Sequence, residues 1–287
     1  MSPDVECFFD AQTNSASYVV SDPYTDHAAI IDPVLDFNPV SGRTSTESAQ
    51  KIVDHVEKNK LTIDWIVETH VHADHLTASI WLKEKLGGKS GVGAGIMEVR
   101  ATFGKLFNAA DVLDTDDVPF DELFEDGATF RIGSIAARVI ATPGHTPACV
   151  TYIIGDSCFV GDTMFMPDSG TARCDFPGGD ARHLFVSMQK IFEQPDEMRM
   201  FVCHDYGAGG ARDFAWETTI GDQRENNIHI GGGTLEGDYV QMRSDRDEKL
   251  SLPRLIVPAV QVNMRAGRFP PTEDNGTSYI KLPLNVF

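Results

Sequence analysis

Short apolar runs mark the first third of the chain. Residues 5–9, 17–20 and 28–31 are apolar stretches broken by Asp, Pro and Ser, which predicts a meander of paired strands ended at Asp32-Pro33. Across 45–58 the period lengthens. Ala49, Ile52, Val53 and Val56 recur at helical spacing, and Thr44 with Glu47 offers a capping box. A strand rich in Ile, Val and Trp is expected at 61–68, then a helix over 76–86 stopped by Gly87-Gly88. Further on, the pattern predicts a helix over 97–107, two strands turning at Gly133-Ser134 within 129–140, and a hairpin of 150–154 with 158–160. Leu184, Phe185, Met188, Ile191 and Phe192 give 180–192 one apolar helical face, and 200–203 reads as a short strand. Beyond Asn227 the pattern weakens. We expect a loop-rich insertion at 231–247, a strand-like run at 255–262 and a Pro-rich tail. This alternation predicts an α/β sandwich of mixed sheets with a C-terminal extension.

Composition narrows the partners. The chain has 287 residues, 41% of them hydrophobic, enough for a sizeable core, with 43 acidic against 24 basic residues and a net charge of −19. Nucleic acid is a poor partner for such a chain, because binding it requires a dense set of cations. Anionic membrane surfaces are disfavoured for the same reason. No apolar run approaches the roughly 18 residues of a spanning helix. The first residues, Met1-Ser2-Pro3-Asp4-Val5-Glu6, are acidic where an export signal is basic. The five cysteines, Cys7, Cys149, Cys158, Cys174 and Cys203, are scattered without a C-x-x-C pair. Reduced thiols in a cytoplasmic protein are expected.

The strongest chemical signal is Thr69-His70-Val71-His72-Ala73-Asp74-His75, directly after a predicted strand. Imidazoles and a carboxylate leaving one strand end can converge on a small volume, and they are the donors that Zn, Fe and Mn accept. Three further segments repeat the design of a ligand at the end of an apolar strand. His145 lies in the turn Thr142-Pro143-Gly144-His145, Asp162 follows Val160-Gly161, and His204 follows Val202-Cys203. Each alone is an ordinary turn; together, in this order, they specify a metal site.

On these residues the sequence resembles the metallo-β-lactamase superfamily, whose signature is H-x-H-x-D-H followed by separate His, Asp and His ligands. The resemblance covers roughly residues 5–230. It implies an αββα catalytic domain over 1–230 with the metal site at one edge, and leaves 231–287 as a loop-rich extension packed on the same domain. The smaller motifs Gly170-Thr171-Ala172-Arg173-Cys174-Asp175-Phe176, His204-Asp205-Tyr206 and Asn263-Met264-Arg265-Ala266-Gly267 resemble the persulfide dioxygenases. That likeness implies oxidation of glutathione persulfide by O₂, with one Fe(II) per chain on His70, His145 and Asp162. Two His and one carboxylate leave half of an octahedron open. His72, Asp74, His75 and His204 would then support those ligands. In the alternative, a glutathione-thioester hydrolase of glyoxalase II type, they would complete a two-zinc site around Asp162. Arg173 is the expected partner of a substrate carboxylate, Tyr206 is expected over the metal as a catalytic and substrate-binding residue, and Asn263 and Arg265 are expected to complete the substrate pocket. Cys174 reads as a small residue in a turn. The family also points to a homodimer. The chain departs from it in two extra residues between Gly170 and Arg173 and in the added segment 231–252.

Overall fold

The computed structural model describes residues 1–113 and 118–286. It opens with the expected meander, β1 (Asp4–Asp10), β2 (Ser15–Ser21) and β3 (His27–Ile31). A small hairpin, β4 (Val34–Asn38) and β5 (Arg43–Ser45), leads to α1 (Glu47–Asn59) and β6 (Thr62–Val67). Then come β7 (Leu76–Thr77), α2 (Ser79–Leu86), β8 (Lys89–Gly93), α3 (Ile96–Leu106), α4 (Ala110–Leu113) and β9 (Glu122–Phe124). The second half holds β10 (Thr129–Ile132), β11 (Ile135–Ala141), β12 (Val150–Ile154), β13 (Ser157–Phe159), α5 (Ala181–Phe192) and β14 (Arg199–Phe201). A short turn α6 (Gly207–Gly210) precedes β15 (Glu217–Thr219), α7 (Ile220–Asn226), α8 (Glu236–Asp247) and α9 (Ile256–Asn263).

Beside a small third sheet of β5-β4-β7, twelve strands form two mixed sheets, ordered β1-β2-β3-β6-β8-β9 and β10-β11-β12-β13-β14-β15. Their inner faces meet in one apolar layer, with Tyr18, Val20, Ile31 and Val67 against Val139, Tyr152, Ile154, Phe159 and Phe201. Both outer faces are covered by helices. Ile52, Val53 and Val56 of α1 and Leu82 of α2 pack on Ile30 and Ile66, while Leu184, Met188 and Ile191 of α5 pack on Ile153, Cys158 and Met200. The architecture is therefore helix, sheet, sheet, helix. Among the described residues no helix is long and apolar enough to cross a membrane.

Three expectations are corrected by tertiary contacts. Thr44 caps nothing, because β5 uses it to pair with Phe37; the Asp36 carboxylate of β4 instead accepts bonds from the Ser48 amide and hydroxyl in the first turn of α1. Leu76 and Thr77 are a short strand paired with β4, so α2 starts only at Ser79. Two helices, α8 (12 residues) and α9 (8 residues), interrupt the expected loops of the extension. α8 hid its buried face because that face is polar, Tyr239, Arg243 and Asp247, with the last two paired at 2.5 Å. The apolar run at 255–262 is α9, wedged between the packing of α1 and α2 on one side and of α3 on the other. Burial all round removes the period that separates helix from strand. Pro258 falls in the first turn of α9, where its missing N–H costs nothing.

Candidate metal centre

Four strand ends deliver the candidate ligands to one edge of the sandwich. β11, β13 and β14 run in the same direction, so His145, Asp162 and His204 leave the second sheet on that side. The loop after β6 brings His70 to His75 from the first sheet. Backbone bonds stitch the sheets together there: Ala16 N–H to Cys203 O at 2.7 Å and Val150 N–H to Thr69 O at 2.9 Å.

The histidine loop is held from three directions. Asp32, in the left-handed region at φ 50°, accepts from the Thr69 amide (2.7 Å) and hydroxyl (2.8 Å) and lies 3.1 Å from His72 Nε2. Glu68 accepts hydrogen bonds from the Thr77 and Ser79 hydroxyls. Asn263 of α9 donates to the carbonyls of His72 (2.9 Å) and His75 (2.7 Å) and accepts from the Thr77 amide (2.8 Å). Gly161, just before Asp162, is at φ 53°, and a Cβ there would lie 2.4 Å from the Thr69 hydroxyl, so no larger residue fits.

Within this frame each imidazole shows one nitrogen to the protein and leaves the other free for a ligand. His70 Nδ1 meets the Thr69 hydroxyl at 3.0 Å, and His145 Nδ1 meets the Arg173 carbonyl at 2.7 Å. His75 Nδ1 meets the Leu76 carbonyl at 3.1 Å, and His204 Nδ1 meets the Asn14 carbonyl at 3.1 Å. The opposite atoms, His70 Nε2, His72 Nδ1, His75 Nε2, His204 Nε2 and Asp162 Oδ1, are buried without a hydrogen-bond partner. Orphaned polar atoms each cost about 1–3 kcal/mol, and bound cations are the partners that would satisfy them. Asp162 Oδ2 stands 3.7 Å from His70 Nε2 and 3.6 Å from His145 Nε2. His204 Nε2 comes within 3.3 Å of Asp162 Oδ1 and 3.1 Å of Asp74 Oδ2, without hydrogen-bond alignment.

The electrostatics fit the same reading. Burial, reinforced by the neighbouring imidazoles, pushes His70 well below its usual pKa, and burial brings His75 down to about 4. Both are therefore neutral, as ligation requires. For His204, burial alone lowers the pKa, but the Asp162 and Asp74 carboxylates outweigh it and hold the pKa well above the usual value. That is a site asking for positive charge, supplied by a proton or by a metal.

Above the ligands lies a cavity of about 440 Å³, lined by Asp74, His145, Asp162 and His204 together with Phe165, Phe176 and Tyr206. Tyr206 is 48% exposed, and its ring stacks 6.4 Å from that of His204. Arg173 also lines the cavity, but its fork is held bidentately by Asp175 (2.6 Å each) and by the Ser251 carbonyl at 2.7 Å. Asn263 stands behind the histidine loop rather than in the cavity. Arg265 is turned away as well, onto Asp111 at 2.9 and 3.0 Å. Cys174 is buried in a turn, its amide bonded to Asp247 at 2.8 Å and its thiol pushed above the usual range by burial.

The metallo-beta-lactamase superfamily model matches residues 11–204, ending on the last ligand. The chain belongs to that superfamily. It is 49% identical over 284 residues to the "Beta-lactamase hydrolase-like protein" of Agrobacterium fabrum, covering 99% of this chain but 65% of that relative's length. It is 46% identical to a "Probable metallo-hydrolase" of Burkholderia pseudomallei, covering 98% of this chain and 99% of the relative. The mitochondrial persulfide dioxygenase of Homo sapiens is more distant, 29% identical over 92% of this chain and 89% of its own. Among solved structures, ETHE1 from Myxococcus xanthus superposes with a TM-score of 0.73 at 26% identity, covering 92% of this chain and 100% of that one. The superfamily's His and Asp ligand set is intact in this chain.

Several site residues escaped the sequence analysis. Asp32 and Glu68 read there only as strand ends, yet they fix His72 and the loop around it. His229, Arg243 and Arg246 line the cavity from outside the segment the superfamily model matches. α8 also supports a ligand indirectly. Arg243 donates to Thr171 O (3.0 Å) and Asp247 holds the Cys174 amide (2.8 Å), fixing the segment whose Arg173 carbonyl orients His145.

Proposed function

We propose that the chain is a non-haem iron persulfide dioxygenase that converts glutathione persulfide, O₂ and water to glutathione and sulfite. The terminal sulfur supplies all four electrons that O₂ takes up, so the reaction needs no external reductant. One observation carries the reading: His70, His145 and Asp162 form a compact cluster of their own, while His72 groups instead with Cys203 and His204, with Asp74 and His75, or with Asp32 and Glu68. Two imidazoles and one carboxylate are the facial triad of non-haem iron oxygenases. The likeness to the human persulfide dioxygenase over 92% of the chain supports the same choice.

When bound, Fe(II) on this triad would supply adjacent open positions for the persulfide sulfur and for O₂. The chain's own residues do the rest. The Thr69 hydroxyl and the Arg173 carbonyl fix the rings of His70 and His145. Phe165 and Phe176 give the cavity apolar walls, which exclude water from a reactive sulfur. Tyr206, over the His204 ring, is positioned to donate its phenolic proton in a hydrogen bond to bound substrate. Arg173 lines the cavity with its fork paired to Asp175 and the Ser251 carbonyl, bracing this wall.

A second reading has its own observation. His75 Nε2 and His204 Nε2 are orphaned beside Asp74 and Asp162, a second ligand set that a two-zinc glutathione-thioester hydrolase would use. The deciding experiment is metal analysis of protein purified without added metal, with an oxygen electrode recording on addition of glutathione persulfide. About one iron per chain with O₂ uptake and sulfite release supports the dioxygenase. Two zincs, no O₂ uptake and thioester cleavage overturn it.

A further inference from the structure

The cavity wall beyond the superfamily match carries a donor and a cation with no assigned task. His229 lies between α7 and α8 and is 8% exposed. Its Nδ1 accepts from the Thr171 amide at 2.9 Å. A backbone N–H can only donate, so Nδ1 keeps its lone pair and the ring proton sits on Nε2. Burial, then the charges of Arg243 and Arg246, bring its pKa down to about 4, so this neutral tautomer holds at neutral pH. The Tyr239 hydroxyl, 2.9 Å from that of Thr171, braces the arrangement. Gly170 makes room for the ring; at φ 86°, a Cβ there would lie 2.2 Å from Nδ1. The Nε2–H left over is buried without a partner on a residue that lines the cavity.

The cation is Arg246. Three arginines line the cavity, and two are already neutralised, Arg173 by Asp175 and Arg243 by Asp247. Among the described residues Arg246 has no carboxylate within ion-pair reach, although the chain as a whole carries a charge of −19. It is exposed at the cavity, and its charge reaches the His229 ring. In so acidic a protein, a guanidinium left unpaired at the same cavity as an orphaned N–H is a place for an anion.

We propose that His229 Nε2–H and the Arg246 guanidinium together bind a carboxylate at the end of the substrate remote from the reacting sulfur, making them the residues that select an acidic thiol-derived substrate. The assignment rests on the glutathione-type reading above. It does not depend on whether the bound molecule is then oxidised or hydrolysed.

The test is calorimetric binding of glutathione and of its diethyl ester, in which both carboxylates are masked, to the metal-containing protein, for wild type, Arg246→Gln, Arg246→Lys and His229→Gln. Wild type should prefer the acid. Arg246→Gln and His229→Gln should each weaken glutathione about tenfold with the ester unchanged. Arg246→Lys should recover part of the loss, and metal content should stay constant throughout. The proposal is overturned if wild type binds neither ligand or does not distinguish them, or if the variants bind glutathione as wild type does or lose acid and ester equally. If persulfide-dependent O₂ uptake fails while the acid preference and its loss persist, only the reaction assignment falls.

Discussion

The ligand edge and the cavity wall above it are built on opposite principles. At the edge, backbone groups and buried carboxylates hold every imbalance outward: each histidine is satisfied on its far side and bare on its near side. The wall made by α8 and the 170–175 segment is nearly self-neutralising, with Arg173 on Asp175 and Arg243 on Asp247, and among the described residues Arg246 is the arginine of the cavity left over. An edge that leaves polar atoms unsatisfied has its energy completed by a metal. A wall that pairs its own charges gains stability from itself and offers the substrate only what it leaves unpaired.

Changes at the edge should therefore cost metal and turnover, and changes in the wall should cost stability with metal retained. The largest effect is expected from Asp162→Ala, which removes the carboxylate lying between His70, His145 and His204. Metal content should drop, and kcat/KM should fall by more than about a hundredfold, the upper end of what losing a ligand's supporting hydrogen bond costs. Full activity with full metal content would remove Asp162 from the centre. Next is Asp32→Ala, which strips the Thr69 amide, the Thr69 hydroxyl and His72 Nε2 of their acceptor at a buried site. We expect a loss of about 3–5 kcal/mol in denaturant midpoint experiments, with metal affinity falling alongside.

How far each region was legible in the sequence follows the same division. The ligands could be read because imidazoles crowded at one strand end suit neither an apolar core nor an ordinary turn, and suit a metal well. The flanking apolar runs gave the layers. Asp32, Glu68 and Asn263 could not be read as the supports of those ligands. Asp32 meets Thr69 across 37 positions and Asn263 meets Thr77 across 186, and no local pattern encodes such pairings. Arg173 and Arg265 are expected as substrate forks; the structure pairs Arg173 with Asp175, two residues along, and Arg265 with Asp111, 154 positions away. α8 was obscured by its own polar buried face, and His229 sits in a stretch with no periodicity at all.

Two smaller effects sharpen the division. Asp247→Ala leaves Arg243 buried and unpaired and frees the Cys174 amide, so about 3 kcal/mol should be lost while metal content stays near that of wild type. Equal loss of metal would mean that α8 holds the centre directly. Asn263→Ala, which acts from behind the histidine loop, should cost about 2 kcal/mol and lower metal affinity roughly tenfold. If it raised only the KM for glutathione-based substrates, Asn263 would belong to the pocket instead.

The smallest effect lies far from both regions and calibrates them. Asp22, in the turn after β2, accepts from the Ser134 amide and hydroxyl (2.6 Å each) in the turn between β10 and β11, and from the Tyr24 amide at 3.0 Å. The Ser134 hydroxyl above all, helped by the Tyr24 and Ser134 amides, brings its pKa from 3.8 down to about 2. A carboxylate lowered on folding stabilises the native state above its unfolded pKa, and that contribution is lost as pH falls through the folded value. Wild type should therefore exceed Asp22→Asn in stability by a constant margin at neutral pH, and the margin should close between about pH 4 and pH 2. Metal content and turnover at neutral pH should match in the two proteins, because neither region is touched. A margin that stays constant down to pH 2 would mean that Asp22 acts through its shape and hydrogen bonds alone, with no contribution from its charge.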